Sequence, residues 1–208
     1  MTLKAIGTLT GGQIALKERA LVRRMRIPEL ETPENSRWLA LLIDTEGILG
    51  WIKLIKRMNR ADEYRYEYVY RIPYLGSAMN ELESKQIIDN GAKLVGVHAY
   101  TRVDLKTGKP IRYFKADFGR GLSTIEYMDP YLIKFKRLAN LCLILFKYHI
   151  LIPIEKFDMV IETLFGKYIT PKQANLMLLK MTEAEHRELI RKARELTSLH
   201  LKLKRWIA

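Results

Sequence analysis

Two carboxylates, Asp44 and Glu46, stand where a short apolar segment stops, and Gly47 follows at once. The segment predicts a helix over Arg37–Thr45. Pro33, Glu34, Asn35 and Ser36 supply its start and Gly47 its stop. A helix C-terminus carries a partial negative charge, so acids there are unfavourable and a compensating cation is expected, either a basic side chain or a metal ion. The alternative is a core helix with a glycine cap and two solvated acids. Both readings stand at this point.

Other chemistries find little support. His98, His149, His186 and His200 have no metal-ligand spacing, and no Walker loop, dinucleotide-binding glycine fingerprint or HExxH occurs. Cys142 is the only cysteine, which excludes an internal disulfide, and its apolar surroundings place it in a core. Charge points further: 36 Lys and Arg against 23 Asp and Glu leave +13 over 208 residues. An isoelectric point near 9.8 implies a polyanionic partner, nucleic acid or an acidic membrane. The N-terminus lacks a signal-peptide apolar region, and the run Leu138–Phe146 falls far short of the roughly 20 residues of a membrane span. A soluble, cytoplasmic protein is expected. Scarce glutamine and abundant charge suggest a heat-adapted source.

The elements that must position the acids follow from periodicity. Residues 1–35 read as a basic extension, with a helical stretch over Ala15–Arg26 and a Pro- and Glu-rich linker. Beyond the acidic helix, Ile48–Arg57 and Tyr64–Ile72 predict an antiparallel hairpin, the second strand ending at Pro73. Ser77 is a plausible cap for a helix to Asp89, closed by Asn90 and Gly91. A second hairpin follows, Leu94–Asp104 and Ile111–Phe118, turning at Lys106–Lys109. A short helix over Leu122–Tyr127 precedes a longer one over Tyr131–Tyr148, with Lys134, Lys136 and Arg137 in its opening turns. Helices over 155–165, 172–180 and 182–203 complete the chain, the last opening on a Thr182-x-x-Glu185 capping box. The fold class expected is α+β, with a curved four-stranded antiparallel sheet. One sheet face supplies a core; the other is basic, aromatic and polar, and a two-stranded ribbon of that kind fits the DNA major groove. The residues chosen for DNA contact are Lys53, Arg57, Arg65, Arg71, His98, Arg102, Tyr113 and Lys115.

The nonapeptide Leu39–Gly47 resembles the motif that names the LAGLIDADG homing endonucleases, with seven of nine positions identical or conservative. Leu41 departs where the family has Gly, and Thr45 stands for a small residue. The helix–hairpin–helix–hairpin order is similar to the family's αββαββα core over residues 36–148, leaving 1–35 and 149–208 as extensions. The segment Asp129–Leu143 resembles the part after the second hairpin, where a basic residue precedes an Ala-containing helix. A rival match, Lys172–Leu176, has the closer wording but lies far from the motif and follows no hairpin, so the first is preferred.

The resemblance implies a site-specific double-strand DNA endonuclease, encoded by a mobile intron of archaeal source and acting on a long, near-palindromic site. One motif copy implies a homodimer packed helix on helix, and Leu41 in place of Gly widens that packing. Glu46 matches the family's metal-binding acid, so Mg²⁺ is the expected cofactor, with Mn²⁺ or Ca²⁺ able to occupy the same site. The resemblance leaves Asp44 a helper of the helix end, the Thr45 carbonyl an extra ligand, and Lys134 and Lys136 candidates for the basic group at the cleavage site. The alternatives on the same scaffold are an RNA maturase and a DNA-binding regulator that does not cleave.

Overall fold

The computed structural model describes residues 24–56, 68–147 and 152–207. A short 3-10 turn at Pro28–Leu30 leads into α1 (Pro33–Glu46), which passes directly into β1 (Gly47–Lys56). Then come β2 (Tyr68–Asn80), α2 (Glu81–Val95), β3 (Tyr100–Val103), β4 (Pro110–Asp117), α3 (Phe118–Met128) and α4 (Lys136–Leu145). The tail holds β5 (Ile152–Pro153), α5 (Ile154–Phe165), α6 (Pro171–Lys180) and α7 (Glu183–Ile207). The sheet is antiparallel in the order β1-β2-β4-β3, with the two-residue β5 beside β2 at Tyr70 and Arg71. This is the α+β class expected. No helix among the described residues is long and apolar enough to cross a membrane.

α1 forms because Ser36, Leu39, Ala40, Leu42 and Ile43 recur at helical spacing and are all buried, leaving Glu34, Arg37, Trp38, Leu41 and Thr45 on the open side. Full burial of Leu39 and Ile43 stabilises the helix by about 1.5–3 kcal/mol each. They pack with Leu75, Phe114 and Ala116 of the sheet, Leu122 and Ile125 of α3, and Leu138, Ala139 and Cys142 of α4. Burial pushes the Cys142 thiol well above its ordinary range, so it serves as a core residue. Trp51 and Phe146 both contact Phe157 of α5, at centroid separations of 5.5 and 5.6 Å, and extend the core beneath β1.

Several element bounds differ from expectation, each for a tertiary reason. β2 runs through Pro73 to Asn80. On its flank away from β1, position 73 lies between the stretches paired by β5 and by β4, so the missing N–H is little felt there. Ser77 is therefore a strand residue, and Asn80 caps α2, its Oδ1 accepting the Leu82 N–H at 3.2 Å. Asn90 and Gly91 do not close α2, which continues to Val95 and stops at Gly96 with φ 69°. A Cβ on Gly91 would lie 2.7 Å from the Phe114 ring, so this glycine lets helix and sheet approach. β3 is shortened to Tyr100–Val103. The helix expected from Tyr131 starts only at Lys136. The basic stretch 15–26 lies mostly outside the described residues. Its last three are not helical, and the Met25 N–H donates to Ser123 Oγ at 2.8 Å.

Candidate active site and nucleic-acid interface

The two acids at the end of α1 have different environments. Asp44 is bound by its own protein: Oδ2 accepts the Ile133 N–H at 2.6 Å, and Oδ1 accepts the Phe135 N–H at 3.0 Å. Those bonds hold residues 131–135 out of helix, which explains the late start of α4. Glu46 is exposed and makes no side-chain hydrogen bond or ion pair with the described residues. The compensation expected at the helix end thus exists for Asp44, as backbone dipoles, and no described residue supplies it for Glu46. Thr45 Oγ1 donates back to the Leu41 and Leu42 carbonyls, at 2.9 and 3.2 Å, which turns the hydroxyl away from ligand duty and leaves the residue's backbone carbonyl. Gly47 makes the sharp exit possible, since a Cβ there would lie 2.5 Å from Ile43 Cα.

Lys134 sits between the two N–H groups that Asp44 holds, exposed, with Nζ 5.1 Å from the Phe135 ring centroid. Lys136 is engaged elsewhere: Nζ donates to the Asp129 carbonyl and pairs with Asp129 Oδ2 at 2.9 Å. Beside Gly47 opens a cleft of about 490 Å³, lined among others by Ile48, Lys134, Phe135, Lys172, Asn175 and Leu176. The two segments that compete in sequence for one role, Asp129–Leu143 and Lys172–Leu176, therefore border the same space.

The exposed face of β4 and β3 carries the second group of candidates. Strand register opposes Tyr74 to Asp117, Gly76 to Lys115, Ala78 to Tyr113, Tyr113 to Tyr100 and Ile111 to Arg102. Cross-strand partners share a face, so Tyr74, Lys115, Tyr113, Tyr100 and Arg102 stand together. Leu75, Phe114 and Ala116 face the core instead. Arg102 lies over the Tyr113 ring at 5.0 Å, and Lys115 lies 5.8 Å from the Tyr74 centroid while pairing with Asp117 at 2.9 Å. Exposed His98 precedes β3 and meets the Tyr100 edge at 6.4 Å. Cationic and aromatic groups alternate here, as they do where proteins follow a phosphate backbone and meet base edges.

Arg71 is not part of that face. Its guanidinium makes two bonds to Asp158 of α5, at 3.1 and 3.2 Å, lies 4.9 Å from the Tyr168 centroid, and is 12% exposed. Lys53, opposite Arg71 in the register, is exposed. Arg57 and Arg65 lie outside the described residues. Sequence reasoning reached Lys172 and Asn175 only as parts of the rival match Lys172–Leu176. The rival's closer wording was the available signal.

No protein-family model and no curated protein sequence matches the chain. Among solved structures, it is similar to the homing endonuclease I-CvuI in complex with its target in the presence of calcium, at 19% identity and TM-score 0.46, covering 77% of this chain and 95% of that one. It is also similar to the LAGLIDADG homing endonuclease I-LtrWI bound to target DNA, at 18% identity and TM-score 0.36, covering 76% and 49%. A third is the group I intron-encoded homing endonuclease I-CeuI complexed with DNA, at 13% identity and TM-score 0.40, covering 89% and 86%. These structural neighbours are homing endonucleases bound to DNA. At such identities and TM-scores, function has to be read from this chain's own residues. None of the comparisons bears on an archaeal source.

Proposed function

We propose that this chain is a metal-dependent, site-specific endonuclease of the homing type that acts as a homodimer on double-stranded DNA. The observation that carries the reading is Glu46: a carboxylate without a partner among the described residues, at a helix end where negative charge is unfavourable, next to Gly47 on a cleft that holds two lysines. Binding to DNA alone gives no reason to present an unpaired acid to phosphates. Residues 36–148 form the endonuclease core in this reading, flanked by extensions.

The donors fit a hard divalent cation only in part. Glu46 and the Thr45 carbonyl offer oxygen, but no group of three or more His, Cys, Asp or Glu side chains stands together among the described residues. One chain therefore leaves positions for phosphate oxygens, water and a second copy's Glu46. When bound, Mg²⁺ supplies charge stabilisation at the phosphate and an activated water. The chain's own parts do the rest. Asp44 fixes the loop that carries Lys134, and Lys134 offers a proton or positive charge at the cleft. Arg102, Tyr113, Lys115 and His98 line the duplex path. Trp38 and Leu41, 37% and 62% exposed on the open side of α1, supply an apolar seam for a second copy.

The test is incubation of a duplex carrying the intron-less host locus with the wild type and with Glu46→Gln, with and without Mg²⁺. Cleavage by the wild type, only with the metal, and binding without cleavage by the variant are expected. A wild type that binds this DNA and never cuts it would sink the reading.

A further inference from the structure

The turn between β3 and β4 is firmly bonded, and what it displays is apolar. Asp104 organises it. The Asp104 N–H donates to the Lys109 carbonyl at 2.9 Å, and its carbonyl accepts the Gly108 N–H at 2.8 Å. Its two carboxylate oxygens accept the Lys106 N–H at 3.0 Å and the Thr107 hydroxyl at 2.9 Å. Those bonds hold the Asp104 carboxyl below its ordinary range, so the carboxylate serves the turn. Gly108 closes the turn with φ 67°, a conformation that glycine adopts without strain. Leu105 stands in this turn 99% exposed, and Val103, two positions before it, is 61% exposed. Neither joins the hydrophobic core.

A lone exposed leucine is ordinary on a protein surface. This one differs in two respects. The bonds around Asp104 fix the turn, so Leu105 is held in water and covers no apolar surface of its own chain. Cations also surround it: Arg102, Lys106 and Lys109 are all exposed, and the one acid of the stretch, Asp104, is occupied by the turn. Arg102 lies over the Tyr113 ring at 5.0 Å, so the turn continues the cationic and aromatic face of β3 and β4. A matching partner carries negative charge in front of apolar matter. A DNA duplex has that build, with phosphates flanking stacked bases. An anionic membrane shares it, but membrane docking draws on a broad apolar face, which a tip of two residues does not offer.

We propose that Leu105 is an apolar wedge that enters the base stack of the bound duplex, with Lys106 and Lys109 on the adjoining phosphates, so that the chain selects DNA partly by how readily one base step opens. The proposal rests on the DNA reading above and deepens it. Insertion withdraws the leucine side chain from water, and it costs the stacking of one step. Pyrimidine–purine steps such as TA and CA unstack most easily, so they are favoured where the tip lands. Leu105 is then a specificity-determining residue that makes no hydrogen bond to a base. The turn fixed by Asp104 presents it ready-made, which limits the ordering that binding requires.

The probe is the duplex carrying the intron-less host locus, with 2-aminopurine in place of one adenine at a time, a base that fluoresces more strongly when unstacked. Measurements are made without Mg²⁺, so that the strands stay intact, and at saturating protein. Wild type should raise the emission at discrete positions by at least about twofold. Leu105→Ser should abolish that rise and weaken binding about three- to tenfold. Its melting temperature and the salt dependence of its binding should match wild type, because the residue is exposed and uncharged. Lys106→Gln should do the opposite, keeping the rise and lowering the slope of log K against log salt by about one. Emission that stays flat at every position, or a rise that survives Leu105→Ser, overturns the wedge while leaving the DNA reading intact. Loss of affinity for anionic phospholipid vesicles in Leu105→Ser, with duplex binding unchanged, overturns it in favour of a membrane. A wild type without salt-dependent duplex binding overturns both the wedge and the DNA reading.

Discussion

Asp44 and Glu46 lie two positions apart and have become different groups. Asp44 accepts two backbone N–H bonds from residues that follow it by about 90 positions, and this holds the loop that carries Lys134. Asp44→Asn weakens two charge-assisted bonds, so a loss of about 1.5–3 kcal/mol in unfolding free energy is expected, read by denaturant titration. Glu46→Gln removes no contact with the described residues, so its stability should match wild type within about 0.5 kcal/mol while cleavage falls by at least about two orders of magnitude. The reverse pattern, a fragile Glu46 variant and a stable Asp44 variant, would exchange the two roles.

At the scale of elements, glycine and proline set how closely parts approach. Gly50→Ala forces a methyl group into Pro171, and the backbone of neither can yield without shifting α6 or β1. Overpacking of this kind costs about 1–3 kcal/mol, so the melting temperature should drop. Unchanged melting would mean that α6 is not held where the packing puts it. The start of α7 has its own signature. Burial, and then the charge of Arg137, hold the His186 imidazole below its ordinary range, with Glu183 partly opposing, and Nε2 is buried without a partner. The unfolded chain then binds the proton more readily. This depresses stability as pH falls below about 6.5, and no further once the folded-state value is passed. The melting temperature should therefore decline between neutral and mildly acid pH, and part of that decline should vanish in His186→Leu. Arg137 anchors the same junction by donating to the Leu178 and Met181 carbonyls and pairing with Glu183.

For the whole molecule, the described residues of one chain present the Glu46 carboxylate without a partner among them, exposed Trp38 and Leu41 on α1, and a sheet whose exposed face is cationic and aromatic. In the proposed homodimer, two Glu46 side chains would approach one two-fold axis, and the +13 charge of one chain would double. Sedimentation of the wild type on DNA should give the mass of the duplex plus twice 24.4 kDa. Leu41→Lys, at a 62% exposed position, should yield a folded monomer with depressed cleavage. A Leu41→Lys protein that sediments and cuts as wild type would remove α1 from the interface.

Periodicity and capping chemistry, which act over a few residues, were enough to define the α+β class, the helix before the acids, the two hairpins and the last three helices. The basic and aromatic face of β3 and β4 was legible for the same reason, since alternate residues of a strand share a side. Contacts between distant parts of the chain decided the rest. Nothing local to Asp44 indicates that N–H groups from beyond residue 130 capture it, or that Arg71 turns to Asp158 instead of outward. Gly91 reads as a helix stop until Phe114 is seen against it. Lys134 and Lys172 compete as alternatives along the chain yet line one cleft in space, because α6 folds back onto β1 at Gly50. Local patterning selects elements; which acid stays free and which cations meet it depends on packing that only the folded chain brings about.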